Sequence, residues 1–459
     1  MGAYDTSIPQ AMTSEAIKHH AAEVEEQLTH RLVSKGQVLY AAIVAFFAWM
    51  FSVYDFILFG TLLPLIAKEF GWSTSTSVAI ATYVSIGTFL VSLTVGPIAD
   101  YFGRRNGLVI TVAGAALSSG LAAFTMSPVY LVIVRALSGF GYSEQAVNTT
   151  YLSEIFGARR RGFIYSFVQG GWPIGVLFAS AVAKLLLDSH VGWRGVFLVA
   201  TFPAIVILLL RLKLPESPRY QKTQEVRNLI RQGKVAEAER VGEEYGVNAS
   251  QAGHFTYRQL FAPDVRKHTI FLGLGFLLNW IGIQIFLVLI TTVFTQGKHL
   301  TFNYSLVLLI VSNALAYVGY VTHGYIGDRI GRRETIIGAW LLAAIFYTIM
   351  VFLAQGNIPV LVTYSIGLFF FIGAYAPLFT YMGESYPTRM RATGASFINA
   401  MGPIGAIIGS AVFTLVLQSG MNVSLGTFVA GCIPVFLSAL ALLGARHVPP
   451  RQIVEEIAI

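Results

Sequence analysis

GPIADYFGRR at 96–105 and GYIGDRIGRR at 324–333 are one phrase written twice, 228 positions apart. Glycine, aspartate and a Gly-Arg-Arg ending keep the same spacing in both copies. Each copy separates two apolar stretches of bilayer-crossing length, roughly 20 residues as helix. A charged loop duplicated between membrane-crossing segments implies two similar halves that move against each other. That is the plan of a transporter.

The composition agrees. Of 459 residues, 55% are hydrophobic and 12% charged, against about 25% charged in a soluble domain. Mean hydropathy is +0.65. Twelve segments are apolar enough to cross, at about 38–66, 76–99, 106–126, 128–152, 163–187, 193–213, 268–294, 302–327, 334–354, 358–383, 392–417 and 423–445. An even number puts both termini on one side. Of 31 Lys and Arg residues, 26 fall in the tails and even-numbered loops. Only Lys68, Lys184, Arg194 and Lys298 lie near the other face, and Arg135 falls inside a helix. The positive-inside tendency makes that basic side cytoplasmic, so topology explains the net charge of +8 and no nucleic-acid partner is expected. Residues 1–36 show no signal-peptide arrangement and contain an amphipathic stretch, SEAIKHHAAEVEEQLTHRL. Cys432 is the sole cysteine, which rules out an intrachain disulfide.

The chain divides into a cytoplasmic segment 1–36, six crossings over 37–213, a polar linker 214–267, six more crossings over 268–445 and a tail 446–459. The repeat extends through both halves. SEIFGARRR at 153–161 parallels SYPTRMR after Glu384, and SFVQGGWPIG at 166–175 parallels SFINAMGPIG at 396–405, offset by 230. Pro173 and Pro403, each beside glycines, mark expected bends in helices 5 and 11.

The duplicated loop resembles the GxxxDRxGRR loop motif of the major facilitator superfamily. RALSGFG (135–141) resembles that family's fourth-helix RxxxGxG motif, and PESPR (215–219) looks like the boundary motif of its sugar and organic-ion members. The resemblance spans about residues 38–445. It implies an all-α membrane fold of twelve transmembrane helices in two pseudo-symmetric six-helix bundles, alternating access and a monomer. The first loop departs from the motif at Tyr101, where the second has Arg329.

The resemblance makes the loops a cytoplasmic gate. Asp100 and Asp328 end helices at that face, where a carboxylate accepts from helix N-termini and pairs with arginine. Gly96, Gly103, Gly324 and Gly331 allow close helix contact and tight turns. Together with Arg104, Arg105, Arg329, Arg332 and Arg333 they are expected to latch one access state. The plainer alternative is that basic loops only fix topology. Glu154 with Arg161, and Glu384 with Arg389 and Arg391, are expected to form a structural ion network beside the latch.

Charges inside the membrane are costly and mark function. Asp55, in YDFILFG, lies 17 residues past Val38, about 25 Å from one face. Arg135 lies seven residues past Pro128, roughly 10 Å from the other. In a core of about 30 Å the two share a depth to within a turn or so. A carboxylate beside arginine stays ionised, and one left alone in an apolar cavity takes a proton. Parting the pair is therefore a physical basis for proton coupling, and proton-coupled family members resembling this chain carry a similar YD and Arg. The alternative is a permanent structural pair. Glu144 is a third candidate for proton work. It follows Arg135 by nine residues and faces the other way unless Gly139 and Gly141 distort the helix; otherwise it pairs with another helix.

Tyr142 shares the Arg135 face. Gln169 and Asn399 hold equivalent positions in the SFVQ and SFIN repeats, and Asn279, Gln284, Asn313, Tyr317 and Tyr375 are polar residues in apolar helices. With Arg135 as anion anchor, these are candidate substrate contacts; the alternative is hydrogen bonding between helices. The chain has no Walker loop, no nucleophile motif and no spaced metal-ligand set. It is expected to be no enzyme and to need no cofactor, with a proton as coupling ion. The expectation is a symporter of a small organic anion in a bacterial inner membrane. Sugar or polyol symport comes second, since helix 7 reads NWIGIQIF and no PETKG follows helix 12; a drug exporter or a non-transporting receptor come after it.

Overall fold

The structure is a computed structural model in which residues 34–155, 167–189, 191–244, 260–386 and 391–448 are described. Among these residues ten helices are long and apolar enough to span a membrane, with a shorter apolar helix over Pro128–Tyr142. The crossings are α1 (Lys35–Phe70), α2 (Thr74–Phe102), α3 (Arg104–Ala122), α4, α5 (Gly171–Asp188), α6 (Gly192–Arg211), α7, α8 (Phe302–Ile330), α9 (Arg332–Phe352), α10, α11 (Arg391–Gln418) and α12. Four of them are interrupted. The fourth, α4, runs as Pro128–Ala136, Ser138–Tyr142 and Glu144–Ile155, and α10 as Asn357–Gly373 and Tyr375–Glu384. The seventh, α7, starts as Arg266–Ile283 and continues through π-helical turns at Gln284–Val288 and Val293–Gly297. The last, α12, passes from Val423–Thr427 through a π-turn, Phe428–Cys432, into Ile433–Leu442. Such π-turns insert a residue into the ladder and re-aim side chains. Two short helices, Pro218–Arg231 and Val235–Glu244, lie in the linker.

Helix packing follows the repeat. Within the first half α1 packs on α5, α3 on α6 and α2 on α4; within the second α7 packs on α11, α9 on α12 and α8 on α10. Besides a contact of α1 with α7, two pairings join the halves, α2 with α11 and α5 with α8. Exchanging the halves turns one of these pairings into the other, as a pseudo-two-fold axis requires.

The bends expected at the two prolines differ. Helix 5 turns at Gly170, three residues before Pro173, whereas α11 is helical throughout and carries Pro403 inside it. Both copies of the duplicated loop lie on one side of the molecule, the motif face. At each, a glycine with positive φ, Gly103 (+104°) or Gly331 (+112°), turns one helix into the next. Only glycine adopts that backbone without strain. The close-contact role expected of Gly96 and Gly324 is not seen. A Cβ at Gly96 would meet nothing within 4 Å, and one at Gly324 only the Ala376 Cβ, at 3.7 Å.

Candidate functional site

Asp55 on α1 and Arg135 on the first piece of α4 meet in the interior, 5% and 1% exposed. Arg135 Nη1 donates to Asp55 Oδ1 at 2.9 Å, while Nη2 donates to the Asp55 backbone carbonyl at 2.9 Å and to Oδ2 at 3.4 Å. The Ser119 hydroxyl of α3 also donates to Asp55 Oδ1. The guanidinium lies beside the rings of Phe59 and Phe197, 5.9 and 5.5 Å from their centroids, a favourable setting for a desolvated cation. These bonds offset part of the cost of desolvating two charges, while Arg135 Nε is buried without an acceptor.

One side of this pair borders a cavity between the halves, lined by Arg135, Phe56, Tyr142, Trp280 and Gln284 and about 30 Å³ in volume. A second, about 20 Å³, lies on the other side of Trp280 and is lined by Gln145, Gln169, Trp172 and Tyr375. A single water occupies about 30 Å³ of liquid, so neither space holds a substrate without the halves moving.

The polar candidates separate against these cavities. Gln284, in the first π-turn of α7, donates to Ser410 Oγ at 2.8 Å and faces the first cavity. Gln169 accepts from Gln145 at 3.2 Å, and Tyr375 donates to Asn279 Oδ1 at 2.6 Å, both at the second. Four candidates line neither cavity, Asn279 reaching the second only through Tyr375. Asn313 Nδ2 bonds the Leu309 carbonyl of its own helix at 2.9 Å, Asn399 is half-buried, and Tyr317 is 41% exposed on the outside of α8.

Glu144 is turned away from the cavity by a second buried ion pair. Its carboxylate takes both Nη groups of Arg211, at the end of α6, and the Thr111 hydroxyl at 2.8 Å. Both side chains are fully buried. Arg211 also donates to the Leu108 carbonyl of α3. The breaks in α4 at Leu137 and Ser143 do not bring Glu144 to the Arg135 side, so the partnered alternative holds. In the sequence Arg211 looks like a loop residue, because it stands at the end of an apolar run.

At the motif face the partners also differ from expectation. The N-terminus of α3 is capped by Glu216 of PESPR, whose carboxylate accepts from the backbone N–H groups of Arg104 (2.9 Å) and Arg105 (3.1 Å). The linker thus supplies a carboxylate to that helix N-terminus. Arg104 lies over the Tyr220 ring and Arg329 over the Tyr325 ring. Asp328 is 69% exposed at its side chain and pairs only within its own half, with Arg332 at 3.2 Å. Arg333 bonds Glu334 (3.0 Å) and the Ala445 carbonyl (2.8 Å). Arg161 and Arg389 lie outside the described residues, as do the side chains of Asp100, Glu154, Glu384 and Arg391.

Contacts between the halves concentrate on the opposite face. Gly60 approaches α7 so closely that a Cβ would sit 1.9 Å from the Val288 carbonyl oxygen, and its own carbonyl accepts from Thr291 Oγ1 at 2.9 Å. Asn303 donates to Asp188 at 3.3 Å between α8 and α5. That side is sealed by backbone contact.

A two-fold array of broken helices around a buried acid–arginine pair is the architecture of an alternating-access carrier. The sequence profile of the Major Facilitator Superfamily matches residues 41–410 and 272–457, and the chain belongs to that family. It is a secondary transporter of the membrane and not an enzyme. It is 27% identical to the niacin transporter NiaP of Acinetobacter baylyi, over 80% of this chain and 84% of that one. It is 26% identical to a gallate transporter of Pseudomonas putida, over 93% and 95%. The fold matches the partially occluded inward-open xylose transporter XylE of E. coli with a TM-score of 0.68 at 20% identity, covering 93% of this chain and all of that one.

Proposed function

We propose that the protein couples proton entry to the uptake of a small organic acid, with aromatic carboxylates first among its substrates. The observation that carries this reading is the buried Asp55–Arg135 pair at the edge of a cavity between the halves. Substrate arrival and protonation of Asp55 would part the two, and the neutral acid and freed arginine favour the rearrangement that opens the other side. The aromatic lining suits a flat ring, and the niacin and gallate transporters among the relatives support the same class. On this reading the protein works as a monomer in a bacterial inner membrane with both termini in the cytoplasm, and the proton is its only cofactor-like requirement.

The test is uptake of labelled benzoate, nicotinate and gallate into proteoliposomes with an imposed pH gradient, inside alkaline. Accumulation should follow the gradient and collapse when a protonophore is added. Uptake indifferent to the gradient would refute proton coupling. Sugar symport is the second reading, favoured by the amide groups of Gln145, Gln169 and Gln284 around the cavities. Stabilisation of the purified protein by xylose or a polyol, with none by any carboxylate, would select it.

A further inference from the structure

The organic-acid reading leaves open which atoms hold the carboxylate, and the obvious choice is occupied. Both Nη groups of Arg135 are committed to Asp55. Its Nε is buried without an acceptor, and so are three further donors beside the cavities. The Tyr142 hydroxyl and the indole N–H groups of Trp172 and Trp280 are buried with no hydrogen-bond acceptor. Native interiors hold few such atoms, because each buried unpaired donor costs about 1–3 kcal/mol.

These three side chains are contiguous. The Tyr142 and Trp280 rings meet edge-on at 5.5 Å, and Trp172 meets Trp280 edge-on at 6.2 Å. Tyr142 and Trp280 border the first cavity, and Trp172 and Trp280 border the second, so the cluster faces the space between the halves from both sides of Trp280. The donors of Tyr142 and Trp280 also converge on α11. A Cβ placed on Gly402 would lie 2.6 Å from the Tyr142 hydroxyl oxygen and 3.0 Å from Trp280 Cε2, the atom bonded to the indole nitrogen.

We propose that the substrate carboxylate is anchored by this neutral set, the Tyr142 hydroxyl and the Trp172 and Trp280 indole N–H groups, and that Arg135 serves the coupling acid instead. The inference rests on the organic-acid reading. An indole nitrogen only donates and a carboxylate only accepts, offering about four lone-pair sites, so the donors of the cluster match an anion. A neutral amide presents one acceptor oxygen to the same donors. The edge-on rings also leave aromatic faces for a flat substrate. Holding the anion without Arg135 lets Asp55 keep its partner until the proton arrives, so binding and coupling are separate interactions.

The experiment measures binding of benzoate, nicotinate and gallate to purified full-length protein, with the amide of whichever acid binds tightest as control. Tyr142→Phe keeps the ring and removes the hydroxyl, and Trp172→Phe and Trp280→Phe keep a smaller aromatic ring and remove the N–H. Each should weaken the acid about ten-fold or more, the cost of a lost charge-assisted hydrogen bond, and weaken the amide much less. Arg135→Lys should weaken acid binding less than any of the three donor variants, and in proteoliposomes it should abolish the response to a pH gradient. If wild type binds a carboxylate and all three variants bind it equally well, or lose acid and amide alike, the neutral anchor is wrong although the substrate class stands. If wild type binds no carboxylate, the functional reading fails and takes this inference with it. Should a variant fail to fold, the indole N–H resonances of ¹⁵N-tryptophan-labelled wild type decide. Two of them should move downfield on adding the acid, and unmoved resonances under saturating acid overturn the proposal.

Discussion

Asp55 and Glu144 are both buried carboxylates paired with arginine, yet their surroundings predict opposite phenotypes. Glu144 lies among α3, α4 and α6 with its oxygens taken by Arg211 and Thr111, and it lines neither of the two cavities between the halves. Glu144→Gln strands the Arg211 charge and should cost about 3–5 kcal/mol, read as a sharp fall in thermal stability in detergent. Replacing both partners, Glu144→Gln with Arg211→Met, should recover most of that loss. Asp55→Asn should cost less stability and remove accumulation driven by a pH gradient while retaining counterflow; undiminished accumulation would exclude Asp55 from coupling. The contrast shows what the sequence can reveal about single residues. Asp55 and Arg135 stand out because a charge deep in an apolar run has few explanations. Arg211 was hidden at the border of such a run, and Ser119, Trp172 and Trp280 because hydroxyls and aromatic rings are ordinary in membrane helices.

Helices meet where side chains are smallest, and Gly60 is the extreme case. With the Val288 carbonyl oxygen 1.9 Å from where its Cβ would stand, Gly60→Ala forces α1 and α7 apart. Closure of the face opposite the motifs should become the slow step. A cysteine at Thr291 should then react with a membrane-impermeant thiol reagent several-fold faster than in the Gly60 background, and equal rates would refute the prediction. The motif face depends on a different device, the capping of α3 by Glu216. Glu216→Ala removes a carboxylate from a helix N-terminus and should cost about 0.5–2 kcal/mol, measured as a lower melting temperature. PESPR was legible in the sequence as a boundary between halves. Its capping role was not, because the bond joins positions more than a hundred residues apart. The π-turns of α7 and α12 left no sequence signal either, since an inserted residue in a uniformly apolar run keeps the run apolar.

The two-fold plan was written in the repeats and in the hydropathy, both of which survive without knowledge of contacts. The conformational state was not, because both states bury the same apolar helices. Here the halves touch across α2–α11 and α5–α8, and hydrogen bonds join them on the face opposite the motifs. Cysteines in place of Asp188 and Asn303, in a Cys432→Ser background, should cross-link on oxidation and arrest transport, with activity restored by reductant. Free transport in the oxidised, cross-linked protein would mean that α5 and α8 need not separate during the cycle. The collapsed cavity beside Arg135 has a bearing on the cell as well. A space of about 30 Å³ admits no file of waters. Without such a file this cavity offers no conduit along which protons could slip while the carrier stands idle. A variant that widened it would spend the membrane's stored energy even in the absence of substrate.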